Sequence, residues 1–179
     1  MYDVIILGSG PAGLTAALYA ARANKKTIVL GGARLGGQMA GIATLENYPG
    51  FLGSGLELAE FMKKQAESFG ATVNFVSAKN ISGDAKSGFV VSGDDGKDYT
   101  GRSVIIATGA SPRKLEIEGA RELMGRGVSY CATCDGFFYR GRTVVIVGGG
   151  NSAVCEALAE SYPTKVATHY DYEPVFETF

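Results

Sequence analysis

Cys131 and Cys134 lie three positions apart in the stretch CATCDG, and Asp135 directly follows the second thiol. Such a pair suits three chemistries: a metal clasp, a structural bridge or a redox switch. A zinc site would have to recruit Cys155 and His169, the one histidine of the chain, to reach four ligands. Those two residues fall on other expected elements, a helix and the end of the strand after it, and do not pair at short ligand spacing. A structural bridge closes only a very short loop here, and three cysteines in a chain without secretory features do not form a disulfide framework. The redox reading fits best. A Cys-x-x-Cys pair cycles between dithiol and disulfide, with thiolate formation tuned by its neighbours. Asp135 is placed to pass a proton to or from a departing thiolate, or else it serves as a helix cap or turn residue.

Two glycine-rich loops supply the rest of the chemistry. The first is Gly8-Ser9-Gly10-Pro11-Ala12-Gly13, between an apolar run and an alanine-rich helical pattern. The second is Gly148-Gly149-Gly150-Asn151-Ser152-Ala153, in the same context. In such loops the first glycine makes the tight turn, the second lets the backbone approach a pyrophosphate, and the third small residue lets helix pack on strand. The helix N-terminus then offers free N–H groups and the positive end of its dipole to the phosphates. A ribose-reading acid is expected about 20 residues beyond such a loop. None follows the first loop, whereas Asp171 lies 21 residues after Gly150. A dithiol beside two dinucleotide loops reads as an electron relay from nicotinamide through flavin to a disulfide.

The elements that must hold these groups alternate. YDVIILG and KTIVL are continuous apolar runs, as strands buried on both faces require, and GLTAALYAARANK between them has helical spacing. SGLELAEFMKKQAESFG predicts a helix with Ser54 as N-cap and Gly70 just past its end. ATVNFVSA, GFVVSG and the region near Tyr99 predict short strands, with a hairpin at the DDG of 94–96. RSVIIATGA predicts another buried strand. The pattern then restarts, with RTVVIVGGG as strand, NSAVCEALAESY as helix and TKVATH as strand. With 179 residues, 46% apolar and 20% charged, the chain is globular rather than disordered. A net charge of −1 provides no basic surface for nucleic acid. The N-terminal stretch lacks a basic n-region and is cut by glycines and a proline, so neither a signal peptide nor a membrane span is expected and the chain reads as cytoplasmic.

Taken in order, several segments resemble the low-molecular-weight thioredoxin reductases of bacterial type. GSGPAGLTAALYAAR is similar to the flavin loop of that family, and GGQM (36–39) and ENYPGF (46–51) resemble its flavin-contacting segment. VIIATGASPRKL resembles the strand leaving the flavin domain, GVSYCATCDGFFYRGR the redox motif, and VVIVGGGNSAVCEAL the nicotinamide-domain loop. The likeness spans about residues 2–166. It implies that Gly8, Ser9, Gly10, Pro11, Ala12 and Gly13 cradle the FAD pyrophosphate. Gly36, Gly37, Gln38 and Asn47 would lie along the flavin, and Thr108 and Gly109 would close the strand end near it. Cys134 would face the flavin as the charge-transfer thiol, Cys131 would attack the disulfide of a thioredoxin-like partner, and Asp135 would be the acid/base. Gly148, Gly150, Asn151 and Ser152 would meet NADPH or NADH. The resemblance further implies a homodimer for the complete form.

The expected architecture is α/β, a Rossmann-like doubly wound FAD-binding domain over 1–113, followed by an incomplete second dinucleotide-binding domain over 114–179 that carries the Cys-x-x-Cys motif. Three departures from the family stand out. Cys155 replaces a usual glutamate. The segment after His169 has acids, Asp171 among them, where the family has arginines suited to a 2′-phosphate. No segment matches the family's C-terminal flavin-contacting part, so the chain reads as truncated and little disulfide-reducing turnover is expected of it alone. A fragment that at most binds a nucleotide, and an alkyl hydroperoxide reductase flavoprotein, are the alternative readings.

Overall fold

The computed structural model describes residues 1–159 except 46, 112 and 133–135. The chain divides into two compact units, Met1–Ser111 and Pro112–Phe179.

The first unit is built on four parallel strands and an antiparallel meander, hydrogen-bonded in the order β3-β2-β1-β6-β5-β4. β1 (Tyr2–Leu7) pairs with β2 (Thr27–Leu30) on one side and β6 (Asp98–Ile106) on the other, and β3 (Thr72–Asn74) lies outside β2. Side chains alternate across a strand, so β1 and β2 feed two cores. On one face Ile6 and Val29 meet Ala17 and Ala21 of α1 (Pro11–Arg22) and Ala66 of α2 (Gly55–Ser68). On the opposite face Ile5, Leu7, Ile28 and Leu30 meet Val76, Val91 and Tyr99, the last two from the meander. All four residues of β2 are buried. A strand covered on both faces needs an unbroken apolar run, and this explains why TIVL shows no polar alternation. Small residues on the helices matter as much as large ones on the strands, because Ala17, Ala21 and Ala66 let the helix axes come close to the sheet. The ion pairs Lys63–Glu67, Lys97–Asp95 and Arg102–Asp3 all reach solvent. Exposed pairs contribute about 0–1 kcal/mol each, against about 1.5–3 kcal/mol for a fully buried Ile or Leu, so burial holds this unit together.

The helix ends follow local chemistry. α1 begins on Pro11, whose missing N–H is not needed in the first turn. α2 begins with a capping box. The Glu57 N–H donates to Ser54 Oγ at 3.2 Å, and the Ser54 N–H donates to the Glu57 carboxylate at 2.7 Å. Gly70, at φ +96°, stands just past the end of α2, as its position in the sequence predicts.

The meander departs from the sequence reading in two places. ATVNFVSA is not one strand. β3 stops at Asn74, and β4 (Ala78–Asp84) starts after three connecting residues; here the Gly31 and Gly32 N–H groups donate to Asn74 O and Val76 O and the Asp94 carboxylate accepts the Ser77 N–H. The first two bonds hold residues 74–76 beside the end of β2, and the third ties Ser77 to the hairpin turn of the meander, where β4 begins. The region near Tyr99 and RSVII form one strand, β6, rather than two. Residues 98–101 pair with β5 (Gly88–Gly93), and residues 101–106 pair with β1. Gly101 is the pivot, paired with Phe89 on one side and Tyr2 on the other. A Cβ there would stand 2.7 Å from Ile5 Cγ1, so only glycine lets the strand bend over the core at this point. The DDG hairpin is present, and the Tyr99 hydroxyl donates to Asp95 at 2.9 Å, anchoring the turn to the core. Burial, reinforced by the Asp95 carboxylate, pushes the Tyr99 hydroxyl above its ordinary pKa.

The second unit contains a 3-10 turn at Gly136–Tyr139 and α3 (Asn151–Ala159). The expected strand RTVVIVGGG is not a strand among the described residues, and Val145 and Val147 are 63% and 64% exposed. Val145 alone in this run carries a strand bridge among the described residues. TKVATH lies outside the described residues.

Two outcomes are expected of the first unit. Gly101→Ala lowers its stability by about 1–3 kcal/mol through overpacking against Ile5. In a urea-denaturation double-mutant cycle, Ile5→Val recovers part of that loss, so the double variant is less destabilised than the sum. The second concerns Glu57, which the backbone N–H of Ser54, and then its hydroxyl, holds below the usual carboxylate pKa. Stability from a depressed carboxylate is present above its unfolded pKa and is lost as pH falls through the folded one. Glu57→Ala therefore lowers the melting temperature at neutral pH, and the difference from the parent chain closes as the pH is taken below the carboxylate range.

Candidate functional site

The first glycine loop sits where the C-terminal ends of β1, β2 and β6 converge. Its three glycines answer to different constraints. A Cβ on Gly13 would overlap the Gly8 carbonyl oxygen, and one on Gly8, at φ +106°, would overlap Ala107 O at the end of β6. Those two positions are closed by backbone. Gly10 is open, with no heavy atom within 4 Å of where its Cβ would be, and Gly37 faces it across the gap, with a Cβ position 3.6 Å from Gly10 Cα. Gly10 has φ −74° and ψ 179°, which any residue adopts, so glycine is not needed there for the fold. The loop thus leaves a space over the start of α1 that a side chain would fill. α1 has no side-chain cap and no acid in its first turn, and Pro11 has no N–H. The N–H groups of Ala12 and Gly13 precede the first intrahelical bond, from the Leu14 N–H to Gly10 O at 3.0 Å. Unsatisfied donors, a positive dipole end and room for a bulky anion coincide here.

Ser9 plays a part that the loop pattern does not reveal. It is buried, and its hydroxyl lies 2.8 Å from Gly31 O and 3.2 Å from Arg34 O, sharing one proton between two carbonyls. The Gly36 N–H donates to Ser9 O at 2.9 Å. Ser9 therefore pins the segment after β2 to the first loop through side chain and backbone. Gly36 (φ +84°) then opens the 3-10 turn Gly37–Gly41, and Gln38 donates from its side-chain amide to Ala110 O. That bond ties the turn to the segment leaving β6, where Thr108 and Gly109 (φ +71°) lie. Gly8–Gly13, Gly36–Gln38 and Thr108–Gly109, far apart in sequence, so meet at one end of the sheet. Asn47 is exposed in a loop closed by the bridge between Leu45 and Gly53.

In the second unit Cys131 is disulfide-bonded, and Cys155 carries a free, exposed thiol on α3. Cys134 and Asp135 lie outside the described residues, as do His169 and Asp171. Among the described residues no group of three His, Cys, Asp or Glu side chains gathers as a metal site. The loop around Cys131 is held from two sides. The Cys131 N–H donates to Ser129 Oγ at 3.1 Å, and the Ala132 N–H donates to the Glu156 carboxylate, carried on α3. Glu156 is absent from the sequence reading, since nothing in its spacing from Cys131 marks it. The second glycine loop does open a helix, with Gly148 at φ +136° and Asn151 as the first residue of α3. The Val154 N–H reaches back to Gly150 O at 3.3 Å. Among the described residues no helix is long and apolar enough to cross a membrane.

The comparisons with known proteins agree with this geometry. The sequence pattern of the pyridine nucleotide-disulphide oxidoreductases matches residues 2–168. A thioredoxin reductase of Treponema pallidum is 51% identical over 169 residues, covering 93% of this chain and 54% of that protein. One from Bacillus subtilis is 47% identical over 169 residues, covering 94% of this chain and 52% of its own length. The crystal structure of thioredoxin reductase from Streptococcus pyogenes superposes with a TM-score of 0.76 at 43% identity, over 94% of this chain and 55% of that one. This chain spans about half the length of the relatives it matches. With a sequence match over nearly its whole length and an α/β, Rossmann-like structure to carry it, the chain belongs to the pyridine nucleotide-disulphide oxidoreductase family.

Proposed function

We propose that this chain carries the flavin-binding and redox-disulfide part of a disulfide reductase of thioredoxin reductase type. The observation that supports it most is the open space at Gly10, walled by Gly37 and faced by the free N–H groups of α1, in a chain whose Cys131 is disulfide-bonded. A pyrophosphate needs a backbone approach without side chains, and these residues fit the FAD diphosphate. FAD, when bound, relays the two electrons of a nicotinamide hydride to a disulfide.

The chain's own residues then have distinct tasks. Gly10 and Gly37 admit the diphosphate, and Ala12 and Gly13 donate to it. Ser9 holds the turn at Gly36–Gln38 in place. Cys155 is free, which leaves Cys134 as the proposed mate of Cys131 in a chain of three cysteines. Once reduced, the Cys131 thiolate attacks a disulfide of the partner, a thioredoxin. One partner sulfur leaves as thiolate, and the mixed disulfide is resolved by Cys134, which re-forms the internal bond. Asp135 supplies or removes the proton. Gly148, Gly150, Asn151 and Ser152 receive the nicotinamide dinucleotide. Asp171, if it reads the adenosine ribose, accepts hydrogen bonds from the 2′-OH and repels a 2′-phosphate, so NADH is the proposed preference over NADPH. A homodimeric assembly and a cytoplasmic location belong to the same reading.

Two measurements test it. In a FAD titration followed by flavin fluorescence, Gly10→Val weakens binding at least about tenfold, roughly 1.4 kcal/mol or more. It leaves the melting temperature unchanged, because the new side chain enters open space. Gly13→Ala loses both binding and stability, because its Cβ meets backbone. Equal FAD affinity in Gly10→Val and the parent chain removes the cradle. For the disulfide, alkylation with and without prior reduction, read by mass spectrometry, shows Cys131 and Cys134 protected together and Cys155 labelled in both states. A dominant oxidised species that contains Cys155 is incompatible with the proposed pair.

A further inference from the structure

Glu156 is a charged side chain bonded directly to the backbone beside Cys131, and the electron route leaves it without a task. It lies in the second turn of α3 and is partly buried. Its carboxylate accepts the N–H of Ala132, the residue that follows the half-cystine Cys131. On the other side of the sulfur, the Cys131 N–H is held by Ser129 Oγ at 3.1 Å. The first grip is local, two residues back. The second comes from 24 positions on, out of the helix opened by the second glycine loop.

A hydrogen bond with an ionised acceptor is roughly twice as strong as a neutral one, and partial burial keeps bulk salt from screening it fully. The bond also places a negative charge close to a sulfur whose chemistry is attack by thiolates, which are themselves anionic. We propose that Glu156 is a positioning residue of the redox loop. It fixes Ala132 against α3, and its charge makes the Cys131 disulfide select among incoming thiols by their charge, favouring cationic over anionic ones. The inference rests on the reading of Cys131 as the reducible sulfur and goes beyond it by naming what orients that sulfur and what tunes its partners.

The test uses the full 179-residue chain, oxidised, with Cys155→Ser in every sample so that no free thiol competes. Reduction is followed with excess cysteamine, which carries an ammonium, and with excess 2-mercaptoethanesulfonate, which carries a sulfonate. Thiolate concentrations are matched at low ionic strength. In each case two small thiols become one disulfide as the protein disulfide becomes two thiols, and alkylation at Cys131 reports the rate. The readout is the ratio of the cysteamine rate to the sulfonate rate. Loosening of the loop alters both rates together and leaves the ratio in place, whereas loss of a nearby charge changes the ratio.

Glu156→Gln, which keeps shape and hydrogen-bonding capacity but removes the charge, is expected to lower the ratio about three- to tenfold. Glu156→Asp keeps it within about twofold of the parent value, since the charge stays close. Val154→Ala, on the exposed side of the same helix, leaves it unchanged. An unchanged ratio in Glu156→Gln overturns the inference, as does a fall of the same size in Glu156→Asp or Val154→Ala. Neither flavin, nicotinamide nor thioredoxin enters this measurement. Failure of the FAD cradle in the titration above would therefore leave this result standing, and failure here would leave the cradle standing.

Discussion

The Gly8 carbonyl oxygen occupies the place where a side chain at residue 13 would have to begin. Much of the first unit depends on that contact. Because α1 can settle on the β1 turn without a Cβ between them, Ala17 and Ala21 reach the sheet and close the core over Ile6 and Val29. Because the turn is so tight, the N-terminus of α1 is left pointing into open space at Gly10 rather than into protein. One steric constraint thus serves both the packing of the fold and the opening of a place for an anion. The same loop is pinned from below by Ser9, whose buried hydroxyl joins it to the segment after β2. A buried hydroxyl must be hydrogen-bonded, and here its acceptors lie 22 and 25 residues away, so satisfying it fixes two loops relative to each other.

The meander has a comparable economy. β6 joins the meander to the parallel strands of one sheet, pairing with β5 through its first residues and with β1 through its last, and Gly101 lets it turn over Ile5 between the two. Val91 and Tyr99 then cover the face of β1 and β2 that the helices leave bare. The outermost strand, β4, is exposed at every residue and carries Lys79 and Asp84 along with a glycine, composition that blunts an open edge against pairing with other chains. At the other end of β6 the picture reverses. Residues 103–106 pair with β1 on one side, no described residue pairs with them on the other, and Ile106 is 70% exposed. Polar β4 and apolar Ile106 therefore present solvent with edges of opposite character.

How far the sequence could be read depends on the range of the interaction involved. Elements with local causes were readable. The unbroken runs of β1 and β2, the helical spacing of α1, the capping box at Ser54 and Glu57, and the hairpin at 94–96 all form where their residues predict them, because each is decided within a few positions along the chain. The first glycine loop was readable for the same reason, since its turn and the helix it opens are decided within a few residues. Errors came where a run of suitable residues met a neighbour it could not foresee. ATVNFVSA has strand-forming residues throughout, yet β3 stops at Asn74 and the chain, with Ser77 bonded to Asp94 of the hairpin, enters β4 instead. RTVVIVGGG has the composition of a buried strand, yet Val145 and Val147 are exposed.

The sequence by itself determined which residues form the helices and most of the strands, and where α1 meets its glycine turn. Only the tertiary structure decided that Ser9 faces inward to carbonyls, that Gln38 reaches the segment beyond β6, that Gly10 rather than Gly13 is the open glycine, and that Glu156 grips the loop of Cys131. Each of these depends on a partner at least 22 residues away or on empty space, apart from Gly13, whose obstacle is local. Periodicity and propensity record the preferences of neighbours along the chain. A hydrogen bond across such a separation exists only once packing has brought its two ends together, and a vacancy beside a glycine exists only once everything around it is in place.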